Sequence, residues 1–276
     1  MKPSDVLLNL PLMNRIRNTF EALRTAGKKA LIPYITPEFP QKHMTVPLLL
    51  ALDEAGADLI EIGIPFSDPL ADGETIQRSS EIALQNGATI GTILRDVREF
   101  RKGSDIPLLL MGYMNPILRF GAENFLATSH DAGVDGVIIP DLPPEEATEF
   151  RQWSDRHGVS NVFLIAPTTP VPRIQQIDSL STDFSYCVSI TGVTGAQTRL
   201  REDGSFEEFL RTVRANTKKP FVVGFGISKQ EHVANVWRFA DGAVVGSALL
   251  RVLDSCRSPG EAAASAKQFL LSLRPT

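Results

Sequence analysis

Two acidic residues, Glu61 and Asp72, eleven positions apart in one segment, carry the chemistry this sequence offers first. Residues 59–73 read Leu-Ile-Glu-Ile-Gly-Ile-Pro-Phe-Ser-Asp-Pro-Leu-Ala-Asp-Gly, an apolar run followed by a loop. As a buried strand, the run puts Ile60, Ile62 and Ile64 on one face and Leu59, Glu61 and Gly63 on the other. An ionised carboxylate buried there without a partner costs several kcal/mol, of order ~3–5, so it is either paired or neutral. Pairing with a buried Arg or Lys is the structural explanation of Glu61. The chemical one is a second carboxyl, Asp72, on the following loop, which also holds Asp68. A rigid strand-end acid beside a loop acid makes an acid/base pair. Asp72-Gly73 also suits an ordinary turn, so Asp72 gains meaning only beside Glu61.

Positioning such a pair needs a frame, and the chain supplies one. Short β-rich runs at 30–35, 58–63, 107–113, 136–140, 161–166, 184–190, 220–226 and 242–245 alternate with longer amphipathic stretches. Those stretches, expected as helices, are 46–55, 74–86, 90–102, 123–132, 145–157, 171–179, 206–216, 229–239 and 261–273. Apolar strands alternating with helices imply parallel βα units. An echo repeats the unit. Ala55-Gly-Ala-Asp-Leu-Ile-Glu-Ile-Gly63 returns as Ala132-Gly-Val-Asp-Gly-Val-Ile-Ile-Pro140 and, shortened, as Ala240-Asp-Gly-Ala-Val-Val-Gly246. Each is a helix stop followed by a strand. The reading is an α/β protein, a (β/α)8 TIM barrel with an extra N-terminal helix opening near Met13. An open doubly wound sheet wants a Gly-rich fingerprint after its first strand, and Tyr34-Ile-Thr-Pro-Glu-Phe-Pro40 is not one. With no linker or low-complexity tract, residues 1–276 read as one domain, 1–12 being an extension outside its core.

In a barrel, function gathers where the strands end. Val223-Gly-Phe-Gly-Ile-Ser228 and Val245-Gly-Ser-Ala-Leu249 occupy the last two strand ends, the second opening a helix. Glycine lets backbone approach an anion, and free helix N–H groups point at it, so Gly226, Gly246 and Ser247 suit a phosphate. Close helix–strand packing is the structural alternative for these glycines. Thr191-Gly-Val-Thr-Gly-Ala-Gln-Thr198 has the composition of a closing lid, or of a plain surface loop. Its Thr194 and Gly195 can offer a hydroxyl and an amide to the anion. Tyr34, Tyr113, Tyr186 and Phe225 fall at strand ends and either line an apolar pocket or fill the core. The composite is a phosphorylated substrate with an aromatic or apolar end. No Lys falls in a candidate strand to form a Schiff base, so carbon–carbon cleavage here means general acid/base work.

Composition narrows the classes. The chain has 276 residues, 43% hydrophobic and 22% charged, enough for a large core without disulfides or metals. Its net charge is −4 with no long basic run, which argues against nucleic acid and anionic membranes as partners. The two cysteines, Cys187 and Cys256, read as small core residues. The histidines, His43, His130, His157 and His232, fall in separate segments expected to be helical, without metal-ligand spacing, so no metal is expected. The apolar run near the N-terminus is too short and broken to span a membrane, and the expectation is a cytoplasmic enzyme.

From about Met13 onward the chain resembles the tryptophan synthase alpha subunit family. The resemblance is carried by residues 59–77, by Leu110-Met-Gly-Tyr-Met-Asn-Pro116 and by Pro140-Asp-Leu-Pro-Pro144. Gly192-Val-Thr-Gly-Ala196, Gly224-Phe-Gly-Ile-Ser228 and Gly246-Ser247 follow in the family's order. It implies retro-aldol cleavage of indole-3-glycerol phosphate to indole and glyceraldehyde 3-phosphate. Glu61 would be the acid/base at the ring and the glyceryl hydroxyl. Asp72 would face the indole N–H, with Tyr186 near Glu61. Gly195, Gly226, Gly246 and Ser247 would hold the phosphate; Tyr34, Met111, Thr194 and Phe225 would line the pocket. The resemblance also implies an α2β2 tetramer with a beta subunit that carries pyridoxal phosphate, none being expected in this chain. Asp68, Pro69, Asn115 and Pro143 would face that partner. A stand-alone lyase, or an allosteric subunit that only binds the phosphate ester, are the alternatives. Loop one departs from the family with Thr36-Pro-Glu-Phe-Pro40 in place of its usual Gly-Asp-Pro, and residue 190 is Ile where some members carry Arg.

Overall fold

The computed structural model describes residues 14–188, 204–224 and 226–275. Its strands are β1 (Ala30–Ile35), β2 (Ile60–Gly63), β3 (Leu108–Met111), β4 (Gly136–Ile138), β5 (Ser160–Val162), β6 (Leu164–Ile165), β7 (Ser185–Val188), β8 (Phe221–Gly224) and β9 (Gly242–Val245). The helices are α1 (Arg15–Thr25), α2 (Thr45–Glu54), α3 (Glu74–Gln85), α4 (Ile90–Phe100), α5 (Met114–Phe120) and α6 (Ala122–Ala132). They continue as α7 (Thr148–His157), α8 (Val171–Leu180), α9 (Ser205–Asn216), α10 (Gln230–Trp237), α11 (Ser247–Leu253) and α12 (Pro259–Leu273).

All strand pairs are parallel, in the order β5-β4-β3-β2-β1-β9-β8-β7-β6. The two ends of that order meet in the chain. β5 and β6 are parted only by Phe163, whose carbonyl accepts from Tyr186 N at 3.0 Å. They form one stave, so the sheet closes into the expected (β/α)8 barrel. The single strand expected at 161–166 is broken because the Phe163 amide is drawn to the Ser181 hydroxyl (3.2 Å) instead of a ladder carbonyl.

Other boundaries shift for local reasons. β3 ends at Met111, and α5 begins three residues later, unheralded in the sequence because seven residues are too few to show a period. Pro116 lies in its first turn, where a missing N–H costs nothing. His43 is in the loop before α2, not in a helix, with φ of 66°. Cys187 and Cys256 are free and buried.

The echoed aspartates fasten the N-terminal ends of the staves. Asp58 accepts from Leu31 N (2.8 Å), Asp135 from Leu108 N (2.8 Å) and Asp241 from Phe221 N (3.1 Å). Each also meets an arginine: Asp58 with Arg274 at 2.9 Å, Asp135 with Arg101 at 2.7 Å, Asp241 with Arg214 at 2.6 Å. A strand's first amide would otherwise lack a partner, and the carboxylate supplies one. The expected N-terminal helix, α1, stoppers this end. Ile16 is fully buried against Gly136, whose missing side chain leaves room for it. Phe20 packs on Phe184 with ring centroids 5.3 Å apart, and Arg15 and Arg17 pair with Asp135 and Asp183. α1 lies across that end, and the loops that leave the strand C-terminal ends gather at the opposite mouth.

Candidate active site

Glu61 projects inward from β2 at that mouth. It is in register with Tyr34 of β1 and Leu109 of β3 and is 0% exposed. Neither carboxyl oxygen has a hydrogen-bond partner among the described residues. The pairing with a buried cation, which would have given Glu61 a structural role, is therefore absent there. Burial alone pushes its pKa up to about 8, so the group is a protonated acid at pH 7.

Asp72 stands in the loop between β2 and α3, half-buried. Its amide closes a turn on Pro69 O at 3.1 Å, and its carbonyl accepts from Gln77 Nε2 at 2.8 Å. Burial raises its pKa to about 6, opposed by a hydrogen bond from the Tyr113 hydroxyl. That hydroxyl also accepts from Ala71 N at 3.0 Å, so one phenol steadies both the loop and its acid. The sequence marks Tyr113 only as a strand-end aromatic; nothing local signals its bond to a residue 41 positions earlier. Its ring lies 5.5 Å from that of Phe66.

Two more tyrosines frame Glu61. A Cβ on Gly63 would fall inside the Tyr34 phenol, and one on Gly224 inside that of Tyr186. Each glycine thus makes room for the tyrosine of the preceding strand in the sheet. Burial first, then Glu61, raises the Tyr186 pKa well above its ordinary value, so this phenol keeps its proton. Burial first, then Asp72, does the same to Tyr34.

The remaining residues fall at the same mouth. Met111 ends β3 in register with Gly63. Gly226 follows β8 with φ of 78°, and Gly246 and Ser247 join β9 to α11, Gly246 against the Tyr34 ring. Asp68, Pro69, Asn115 and Pro143 lie on the loops or helix after β2, β3 and β4, and Leu70, next to Pro69, is 83% exposed. Thr194, Gly195 and Phe225 lie outside the described residues, as does Ile190. The arrangement unites at one barrel mouth a neutral buried acid and a second acid that ionises more readily.

Comparison with known proteins places this geometry. The family model described as tryptophan synthase alpha chain matches residues 20–273. The chain belongs to the tryptophan synthase alpha chain family. It is 46% identical to the tryptophan synthase alpha chain of Chlorobium limicola, covering 94% of this chain and 99% of that one. Against the tryptophan synthase alpha chain of Roseiflexus sp. the identity is 49%, over 95% and 100%. Its fold matches the crystal structure of the alpha subunit from Legionella pneumophila with a TM-score of 0.86 at 37% identity, over 95% and 98%. The tryptophan synthase complex of Pyrococcus furiosus gives 0.80 at 42%, over 88% and 97%. The tryptophan synthase alpha chain reading of the sequence therefore holds, and so does its TIM barrel.

Proposed function

We propose that Glu61 and Asp72 divide the acid/base work of indole-3-glycerol phosphate cleavage. Through its family the chain is a carbon–carbon lyase of tryptophan biosynthesis, releasing indole and glyceraldehyde 3-phosphate. The observation that carries the division of roles is the difference between the two acids. One is buried, without a hydrogen-bond partner among the described residues, and proton-bearing up to about pH 8; the other is charged above about pH 6. Glu61 delivers its proton to C3 of the indole ring, making the ring cationic. The Asp72 carboxylate offsets that charge at the ring N–H. Glu61, now ionised in an apolar strand end, removes the proton of the adjacent glyceryl hydroxyl. The O–H electrons become the aldehyde C=O, the carbon–carbon bond breaks, and its pair restores the indole ring. Glu61 ends protonated, as it began.

In this reading Gly226, Gly246 and Ser247 hold the phosphate, with Gly195 from the lid. Tyr34, Met111, Thr194 and Phe225 enclose the ring, and Tyr186 stands beside Glu61. Asp68, Pro69, Asn115 and Pro143 face a beta subunit in an α2β2 assembly, where pyridoxal phosphate belongs to the partner. Exposed Leu70, directly after Asp68 and Pro69, supports an interface at that loop. Among the described residues no helix is long and apolar enough to cross a membrane, and a cytoplasmic location is part of the proposal.

The test is indole release by the wild-type chain and Glu61→Gln, alone and with a beta subunit. Glu61→Gln lowers turnover by about 10²–10⁴-fold, the range for a lost general acid. Turnover within threefold of wild type, on the order of a nonessential group, refutes the assignment. A large rise on adding the beta subunit supports the assembly, and an unchanged rate favours the stand-alone lyase.

A further inference from the structure

Loop one, residues 36–40, is where the sequence departs from its family, and it connects β1 to the middle and to the C-terminal end of α3. Thr36 is buried, and its Oγ1 lies 2.7 Å from Ser79 Oγ on α3. Ser79 donates its own proton to the Ile76 carbonyl at 2.8 Å. Either hydroxyl can donate between Thr36 and Ser79, and Thr36 also hydrogen-bonds the Tyr34 phenol, which draws the Tyr34 pKa down against its burial. These contacts link Tyr34, Thr36, Ser79 and the Ile76 carbonyl in one run of hydrogen bonds. At the far end of α3, Asn86 Nδ2 donates to Glu38 O at 2.8 Å and to Pro40 O at 3.3 Å. Glu38, with φ of 56°, is itself held by the Thr45 hydroxyl (2.9 Å) and the His43 amide (2.7 Å).

The start of this chain lies beside the acids. Tyr34 and Glu61 are register partners, and Gly63 shares the inward face with Glu61. Since the Tyr34 phenol takes the space a Gly63 side chain would fill, its hydroxyl lies one layer above Glu61, toward loop two. The end of the chain is in α3, which begins two residues after Asp72. We propose that Tyr34, Thr36 and Ser79 are positioning residues for the cleavage, their linked hydroxyls locking α3, and with it the Asp72 carboxylate, to the strand end that carries Glu61. This role rests on the reading of Glu61 and Asp72 given above. No residue of the relay needs to touch substrate for it to act, since what it sets is the separation and burial of the second acid.

The test replaces Thr36 by Val, which keeps the shape and removes the relay hydroxyl, and by Ser, which keeps the hydroxyl. Thr36→Val lowers kcat by about 10–100-fold, the penalty of roughly an ångström of misplacement. KM stays within about threefold, because the phosphate grip is untouched. Burial is the main cause of the raised Asp72 pKa, so a loosened α3 admits water and moves that value down from about 6 by at least about half a pH unit. Thr36→Ser restores kcat and the pH profile, and Ser79→Ala reproduces the Val variant. Unchanged kcat and pH profile in Thr36→Val overturn the proposal. So does a kcat loss with no movement of the Asp72 titration, or one that Ser fails to rescue. Carboxyl NMR follows Asp72 without turnover: if the wild type released no indole, the assignment of the acids would fail while the relay was still decided by that titration.

Discussion

Glu61→Gln makes the fold more stable as pH rises, and the effect can be worked from the structure. The folded carboxyl titrates near 8, whereas its ordinary value is 4.5. Below pH 4.5 both folded and unfolded chains hold the proton, and the group contributes no pH dependence. Between 4.5 and about 8 the unfolded chain loses the proton while the folded chain keeps it, so stability falls by ~1.4 kcal/mol per pH unit. The accumulated penalty is about 3 kcal/mol at pH 7 and on the order of 5 kcal/mol above pH 8, where it levels off. Gln is close in shape and never ionises, so it escapes the penalty. Exchanging one partnerless polar group for another adds only a constant offset, which the pH slope removes. Urea unfolding of both chains from pH 4.5 to 8.5 reads the difference directly. A Glu61→Gln advantage that grows with pH by several kcal/mol, of order ~3 by pH 7, supports a neutral buried acid. A difference that stays flat across that range refutes it, because the carboxyl would then ionise as readily folded as unfolded.

Other expectations follow from the same geometry. Wild-type kcat/KM rises through about pH 6 as Asp72 ionises and falls above about pH 8 as Glu61 does, giving a bell in steady-state assays. Tyr113→Phe removes the donor that holds Asp72 down and the acceptor for Ala71 N; the acid limb moves upward and thermal unfolding shows a loss of about 1 kcal/mol. Asp135→Asn strands the buried Arg101 and lowers stability by about 3 kcal/mol in urea unfolding, while kcat/KM stays within about twofold because the clamp lies at the closed end of the barrel. Gly63→Ala displaces Tyr34 and lowers kcat by more than about tenfold, with Tyr34→Ala on the same background recovering soluble, folded protein by circular dichroism.

What the sequence made legible depended on how local the cause was. Glu61 was readable because a carboxylate in an apolar strand breaks the pattern around it, and the two-residue period alone turns it inward. Gly63 and Gly224 were readable as strand-end glycines but not as the seats of Tyr34 and Tyr186, since the clash they avoid is with a neighbouring strand. The echoed aspartates showed where helices stop and strands begin. Their charge partners did not show, because Arg274, Arg101 and Arg214 lie 216, 34 and 27 positions away. Tyr113 was missed as the partner of Asp72 for the same reason. Loop one read only as a departure; its role emerges once Thr36 is seen to meet Ser79 in the middle of α3 and Asn86 to tie the C-terminal end of that helix to Glu38 and Pro40.

The most direct test is a carboxyl ¹³C NMR titration of the free chain with Glu and Asp labelled, assigned through Glu61→Gln and Asp72→Asn. The account predicts that the Glu61 carboxyl remains protonated through pH 7 and titrates near 8, with Asp72 titrating near 6. Two carboxylates already ionised at pH 5 would contradict it.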